Sequence, residues 1–230
     1  MAIYLHELVH AVAGRSEDYL DSMAKHHARS AQRLGRKDRV LGLWTAIEAA
    51  GSWPLAVNLW QWGTWEEAAA NLARQFEPQA QDPELKRWWL GNLDLRTGGS
   101  DCILESAPYS PDVGTLLERG AGGCLFLHQI IEVEPGTADG FLAAFGDEGV
   151  PGAEAAGGQL VGAYRVRMRD HEAVTLLAFR EPRDFARFQE AWYDPSTRLG
   201  CWKAREDRWV RGKSTLILKP RHFLGSPWHP

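Results

Sequence analysis

The chain has 230 residues, enough for one large domain or two small ones with a real hydrophobic core. Its net charge of −4, from 26 Lys and Arg against 30 Asp and Glu with no basic tail, argues against nucleic acid or an anionic membrane surface as partner. Three isolated cysteines (Cys102, Cys124, Cys201) without CxxC spacing indicate neither a disulfide framework nor a zinc or iron–sulfur centre. With no basic leader and no long apolar run, a cytoplasmic protein is expected.

The first strand is predicted over Ile3–Val12. Alternation puts Tyr4, His6, Leu8 and His10 on one face and Ile3, Leu5, Glu7 and Val9 on the other. A polar turn leads to a helix capped by Ser16, with Leu20, Met23, His27, Ala31 and Leu34 as its inner stripe and Gly35 as its stop. Strands follow over Val40–Ala49 and Leu55–Trp62, joined by a turn at Ala50–Ser52. A second helix starts at Thr64, with Glu67 completing a capping box, and a short helix spans Leu85–Leu90. Asp101–Glu105 closes the first half.

The stretch leading up to Gly123, rich in Gly, Pro and Ser, reads as a linker. A strand over Cys124–Glu134 and a helix over Ala138–Phe145 open the second half. The Gly-rich run from 146 to 158 reads as a loop, a mobile flap over a pocket mouth. A hairpin over Gln159–Met168 and Ala173–Phe179 precedes a helix with Pro182 at its first position and a final strand over Thr215–Leu218. The last ten residues have too much Pro and Gly for regular structure.

The two halves are copies. Tyr4 falls on Phe126, His6 on His128, Gly14 on Gly136 and Tyr19 on Phe141, at a separation of 122 positions. The separation drifts to 120 at Gly42 and Gly162, 117 at Trp62 and Phe179, and 114 at Trp88 and Trp202. Each half is thus a β-α-β-β-α-β unit, the ferredoxin-like pattern, giving an α+β chain of two tandem units over 1–107 and 124–230 with 108–123 between them. Such a unit buries only one side of its sheet, so two of them are expected to face each other as a pseudo-dimeric α/β barrel.

This duplicated pattern, each copy opening on a strand-borne histidine, resembles the dimeric α/β barrel superfamily. Within it the chain is similar to fused two-unit NIPSNAP-like proteins and to the antibiotic-biosynthesis monooxygenases. The resemblance implies a small-molecule oxidoreductase, monooxygenase-like, acting on an aromatic or polyketide-type substrate without an organic cofactor. It also reaches haem enzymes with a histidine axial ligand, although none of their motifs matches a position here.

If the first-strand faces look into the barrel, His6 and His128 meet near its pseudo-twofold axis. There they can serve as acid and base on a substrate, or be a hydrogen-bonded core pair. A divalent metal on His10, Glu132 or His27 is a further option. His6-Glu7-Leu8-Val9-His10 spells HExxH, but on a strand residues four apart lie about 13 Å from one another and cannot share an ion. Eleven tryptophans suggest an aromatic pocket. Its expected walls are Tyr4, Trp44, Trp60, Trp62, Phe126 and Tyr164, with Asn58 and Arg165 orienting polar groups. A lyase or isomerase using the same proton transfer, and a non-catalytic small-molecule-binding protein, are the alternatives. A monomer with an internal pseudo-twofold or a homodimer would suit any of them.

Overall fold

A computed structural model describes residues 1–34, 39–47, 49, 51–76, 82–223 and 226–228, the side chains of 28–34 and 75–76 excepted. The first half runs β1 (Ile3–Ala11), α1 (Ser16–Leu34), β2 (Arg39–Ala46), β3 (Leu55–Trp62), α2 (Trp65–Phe76), α3 (Pro83–Gly91) and β4 (Arg96–Ser106). A short helix, α4 (Val113–Glu118), leads to the second half. That half runs β5 (Leu125–Val133), α5 (Ala138–Ala144), α6 (Val150–Ala155), β6 (Gln159–Val166), β7 (Glu172–Phe179), α7 (Pro182–Tyr193), α8 (Arg198–Glu206) and β8 (Val210–Pro220). The helix stop at Gly35 and the turn position Ala50 lie outside the described residues.

All eight strands form one closed antiparallel barrel in the order β1-β3-β2-β8-β5-β7-β6-β4. The registers repeat between halves. His6 sits between Leu59 and Cys102, and His128 between Leu176 and Leu216. Irregularities recur at matching places, at His10/Ala11 and Glu132/Val133, and at Val40/Gly42 and Leu160/Gly162. Two short seams, β2 with β8 and β4 with β6, weld the halves. Closure removes the exposed edges that separate sheets would carry.

Alternation sends Tyr4, His6, Phe126 and His128 inward and Ile3, Val9, Leu127 and Ile131 outward beneath the helices. The interior is packed with side chains, among them Trp44, Leu59, Leu104, Tyr164, Leu176 and Leu218. Aromatic pairs cross between halves in a symmetric way: Tyr4 meets Tyr164 at 4.9 Å, and its counterpart Phe126 meets Trp44 at 5.4 Å. Gly42 and Gly162 make room for those partners. A Cβ at Gly42 would stand 2.1 Å from the Trp44 ring, and one at Gly162 2.0 Å from the Tyr164 hydroxyl.

Several expectations need correction. The second strand ends at Ala46, three residues early, and β4 starts five residues early, because pairing with β1 continues through Gly98 and Gly99. Within the segment read as a linker, α4 buries Val113 and Leu116 against the barrel core, and the Val113 N–H donates to Gln61 Oε1. The Gly-rich run is no flap. A π-helical turn (Phe145–Gly149) joins α5 to α6, and Gly149 and Gly152 are buried. A Cβ at Gly149 would meet Phe145 at 2.3 Å and one at Gly152 the Leu199 backbone at 3.1 Å, so these glycines serve close packing on α8. Helix α8 itself lies in a stretch assigned no element. The tail has no regular structure over its described residues, yet Trp228 is buried against Trp44 and Phe126 and donates from Nε1 to the Leu41 carbonyl.

Candidate functional site

Two polar constellations stand out, on opposite faces of β1. The first is the histidine pair inside the barrel. His6 Nε2 and His128 Nε2 are 3.0 Å apart, with ring planes within 10° and centroids 5.0 Å apart, so the rings meet edge to edge. His6 is 2 % exposed and His128 1 %. One Nε2 must carry the shared hydrogen and the other accept it, so the two rings adopt different tautomers. His6 Nδ1 lies 3.6 Å from Cys102 Sγ, while His128 Nδ1 has no hydrogen-bond partner among the described residues. Burial lowers the pKa of His6 to about 4 and pushes that of His128 well down, with the neighbouring His6 adding to it. Both rings are therefore neutral at pH 7.

The second constellation lies on the outer face, beneath α1 and α3. Glu7 Oε2 accepts from Trp60 Nε1 at 2.7 Å and from Asn58 Nδ2 at 3.2 Å, and Asn58 Nδ2 also donates to the Tyr19 hydroxyl at 2.9 Å. Arg96 interacts with both Tyr19 and Glu7, and its guanidinium carbon sits 3.3 Å over the Trp89 ring. Asp101 is the cross-strand neighbour of Glu7 on the same face. Burial raises the pKa of Glu7 above its ordinary 4.5, and Asp101 adds to this, while Trp60, Asn58 and Arg96 pull the other way. Burial likewise raises the Tyr19 pKa. A cavity of about 340 Å³ opens here, lined by Glu7, Trp89, Arg96, Thr97, Ser100 and Asp101 among others. Its size falls within the range of small-molecule sites.

The duplicated half supplies an internal control. Matching registers place Gln129 where Glu7 stands, Thr175 for Asn58, Leu177 for Trp60, Val210 for Arg96 and Thr215 for Asp101. The counterpart of Tyr19 is Phe141, buried in an apolar cluster with Leu177. The fold thus does not require the carboxylate, the guanidinium or their partners.

The predicted catalytic set is not one site. His6 and His128 come together, but Asn58 is on the other face of the sheet with Glu7, and Arg165 pairs with Asp139 at 2.8 Å on the outside of β6. The predicted pocket wall divides likewise. Tyr4, Trp44, Phe126 and Tyr164 fill the interior, whereas Trp60 and Trp62 point outward, because odd positions of β3 face in and even ones out. Sequence reading passed over Glu7, Tyr19, Arg96 and Asp101. The available signal was a carboxylate on the apolar Ile3/Leu5/Val9 face whose repeat partner is uncharged.

The residues named for a metal do not come together. His10 and Glu132 are exposed in different halves, and His27 lies 5.3 Å from the Trp60 ring. Among the described residues no three His, Cys, Asp or Glu side chains are grouped to hold an ion. The outer cavities include the one above and two others, of about 510 and 220 Å³, and no histidine lines any of these three. The donor set there does not fit an axially ligated haem.

No protein-family model matches the sequence, and no curated protein matches it either. Solved structures do match over the whole fold. An anthrone oxidase-like protein superposes with a TM-score of 0.66 at 12% identity, covering 96% of this chain and 92% of its own. A candidate monooxygenase from Lactobacillus acidophilus NCFM gives 0.62 at 9% identity, covering 95% and 93%. A chlorite dismutase variant from Candidatus Nitrospira defluvii gives 0.52 at 14%, covering 95% and 90%. The chain shares the fold of these proteins, a closed barrel of two ferredoxin-like units, with both units in one polypeptide. Among the described residues, no helix is long and apolar enough to cross a membrane.

Proposed function

We propose that this chain is a monooxygenase-like oxidoreductase acting on an aromatic or polyketide-type small molecule with an acidic C–H bond, with its site at Glu7. The observation that carries this reading is the asymmetry between halves. One copy has Glu7 and Arg96 on a cavity wall with Tyr19, Asn58 and Trp60 bonded behind them, where the other has Gln129 on the wall of a smaller cavity of about 220 Å³ and Val210, Phe141, Thr175 and Leu177 at the matching places. A half-buried carboxylate with a pKa raised by its surroundings, which the fold can do without, marks a candidate site of chemistry.

In this scheme Glu7 is the base. Two donors fix Oε2, leaving Oε1 without a hydrogen bond among the described residues, and burial makes the carboxylate a better proton acceptor. Deprotonation puts negative charge on the enolate oxygen of the substrate, and Arg96, on the cavity wall, supplies the compensating potential. Trp89 gives a flat wall to an aromatic ring. The carbanion passes an electron to O₂, the radical pair combines to a hydroperoxide, and loss of water leaves a ketone. The net change converts a CH₂ group and O₂ into C=O and H₂O. His6 and His128 take no part, because both are buried inside the barrel on the far face of β1.

The test is oxygen uptake with anthrone, a tricyclic ketone whose CH₂ is flanked by aromatic rings. We expect stoichiometric conversion to the quinone, and a loss in kcat of about 10²–10⁴ in Glu7→Gln, the contribution of a positioned base. Full activity in that variant would rule out Glu7 as the base. No turnover of anthrone or of other enolisable aryl ketones would rule out the reaction class.

A further inference from the structure

Strand β1 lies between β3 and β4, and the Glu7 carboxylate on its outer face meets opposite surroundings on the two sides. On the β3 side Trp60 Nε1 and Asn58 Nδ2 donate to Glu7 Oε2. On the β4 side the residue directly across from Glu7 is Asp101. Both carboxylates stand on the wall of the cavity of about 340 Å³. Asp101 is exposed and makes no hydrogen bond or ion pair among the described residues, whereas Glu7 is half-buried.

Like charges placed opposite one another on neighbouring strands repel across a gap of about 5 Å, and sheets tend to avoid them. This barrel does not need the pair. The matching register of the second half sets Gln129 opposite Thr215, two neutral groups, on the wall of the corresponding smaller cavity. Glu7 for Gln129 and Asp101 for Thr215 are thus two differences between the copies that fall on one rung of one ladder. The groups facing Glu7 are Tyr19 from α1, Asn58 and Trp60 from β3, and Arg96 and Asp101 from β4. Around Asp101 stand Glu7, the Cys102 thiol and Arg169.

We propose that Asp101 is a positioning residue for Glu7, its charge pressing the carboxylate toward the β3 donors and strengthening it as a proton acceptor. The inference rests on the reading of Glu7 as the base. Asp101 does not meet the reacting atoms and acts through Glu7. A negative charge across the ladder opposes ionisation of Glu7, in the direction that burial already sets. It also offsets part of the pull of Arg96, which would otherwise draw the carboxylate toward β4 and weaken it as a base.

The experiment follows the Glu7 carboxyl carbon by ¹³C NMR across pH in the full chain, with Glu7→Gln identifying the signal. Asp101→Asn keeps the shape and removes the charge. It should lower the Glu7 midpoint by about 0.5 pH units, the effect of a unit charge roughly 6 Å away in water-like surroundings. Asp101→Glu should restore the midpoint, and about 1 M KCl should shrink the difference between Asp101→Asn and the natural chain, a response that a merely structural role would not give. The acidic limb of the pH profile of kcat/KM for anthrone should move by the same amount. An unmoved midpoint in Asp101→Asn, or an equal drop in Asp101→Glu, would overturn the proposal. A lowered midpoint without turnover of anthrone supports the coupling and counts against the reaction class; turnover that depends on Glu7 with an unmoved midpoint counts against Asp101 alone.

Discussion

The histidine pair at the centre of the barrel makes a quantitative demand on stability. His6 titrates near 6.5 when exposed and at about 4 in the fold, because burial penalises its charged form. Between those values the unfolded chain binds the proton and the folded one does not. Stability must therefore rise with pH across this window and fall again as the solution is acidified from 6.5 toward 4. At about 1.4 kcal/mol per pKa unit, a displacement of roughly 2.5 units gives His6 alone about 3 kcal/mol of acid sensitivity. His128 shifts in the same direction and adds to it.

The perturbation that isolates this effect is the double variant His6→Leu/His128→Leu, which removes both titrating rings and fills the space with apolar groups. Urea denaturation at a series of pH values from about 4 to 7.5 should show a shallower pH dependence in the double variant than in the natural chain. The difference across the window should be about 3 kcal/mol or more. His128→Leu alone should be destabilised by about 1–3 kcal/mol at pH 7, since it leaves a buried His6 nitrogen without its 3.0 Å partner. The double variant should lose less than the two single losses combined. If the double variant keeps the full acid sensitivity, the carboxylates rather than the imidazoles cause it and the burial reasoning fails.

The opposite sign is expected at Glu7. Its pKa is raised by burial, so the folded chain holds the proton above pH 4.5 and stability falls as pH climbs through that region. Glu7→Gln, which copies Gln129 of the other half, should remove this fall and be relatively more stable at pH 8 than at pH 5 in urea melts, while losing turnover; a variant that tracks the natural chain at every pH would refute it. Gly42→Ala and Gly162→Ala should each cost about 1–3 kcal/mol in thermal or urea unfolding. The new methyl would press on buried rings, Trp44 at 2.1 Å and Tyr164 at 2.0 Å. A neutral result at either would mean that the ring has room to move.

The architecture was legible because duplication writes it twice. Tyr4 with Phe126, His6 with His128, and Gly42 with Gly162 occupy the same faces and registers in both halves, so β-α-β-β-α-β followed from alternation and repeat spacing, whereas alternation alone did not say which face of the first strand looks inward. The proposed site was less legible for the same reason. Matched residues such as His6 and His128 attract the eye, and in this barrel they mark the core. Nor could strand alternation alone show that Asn58 and Trp60 share a face with Glu7. That depends on which β3 residue lies opposite Glu7, and the β1–β3 register settles it as Asn58. Short elements rich in small residues also escaped. Helix α4 has only two buried apolar residues, Val113 and Leu116, too few to set a period.

This division has a physical basis that sharpens the functional reading. Interior positions on the two halves face each other across the axis, so a change in one copy is felt by the other. Tyr4 packs on Tyr164, Phe126 on Trp44, and His6 on His128. A buried polar group there must find its partner in the opposite copy, which holds both copies near their common pattern. The outer faces are free of that constraint, since each is covered by its own helices. One copy can then turn Glu7, Tyr19 and Arg96 into Gln129, Phe141 and Val210 without disturbing the barrel. Residues that differ between the copies on the outer face are therefore better candidates for chemistry than those that agree within it. The proposal of a base at Glu7 rests on that difference between the copies.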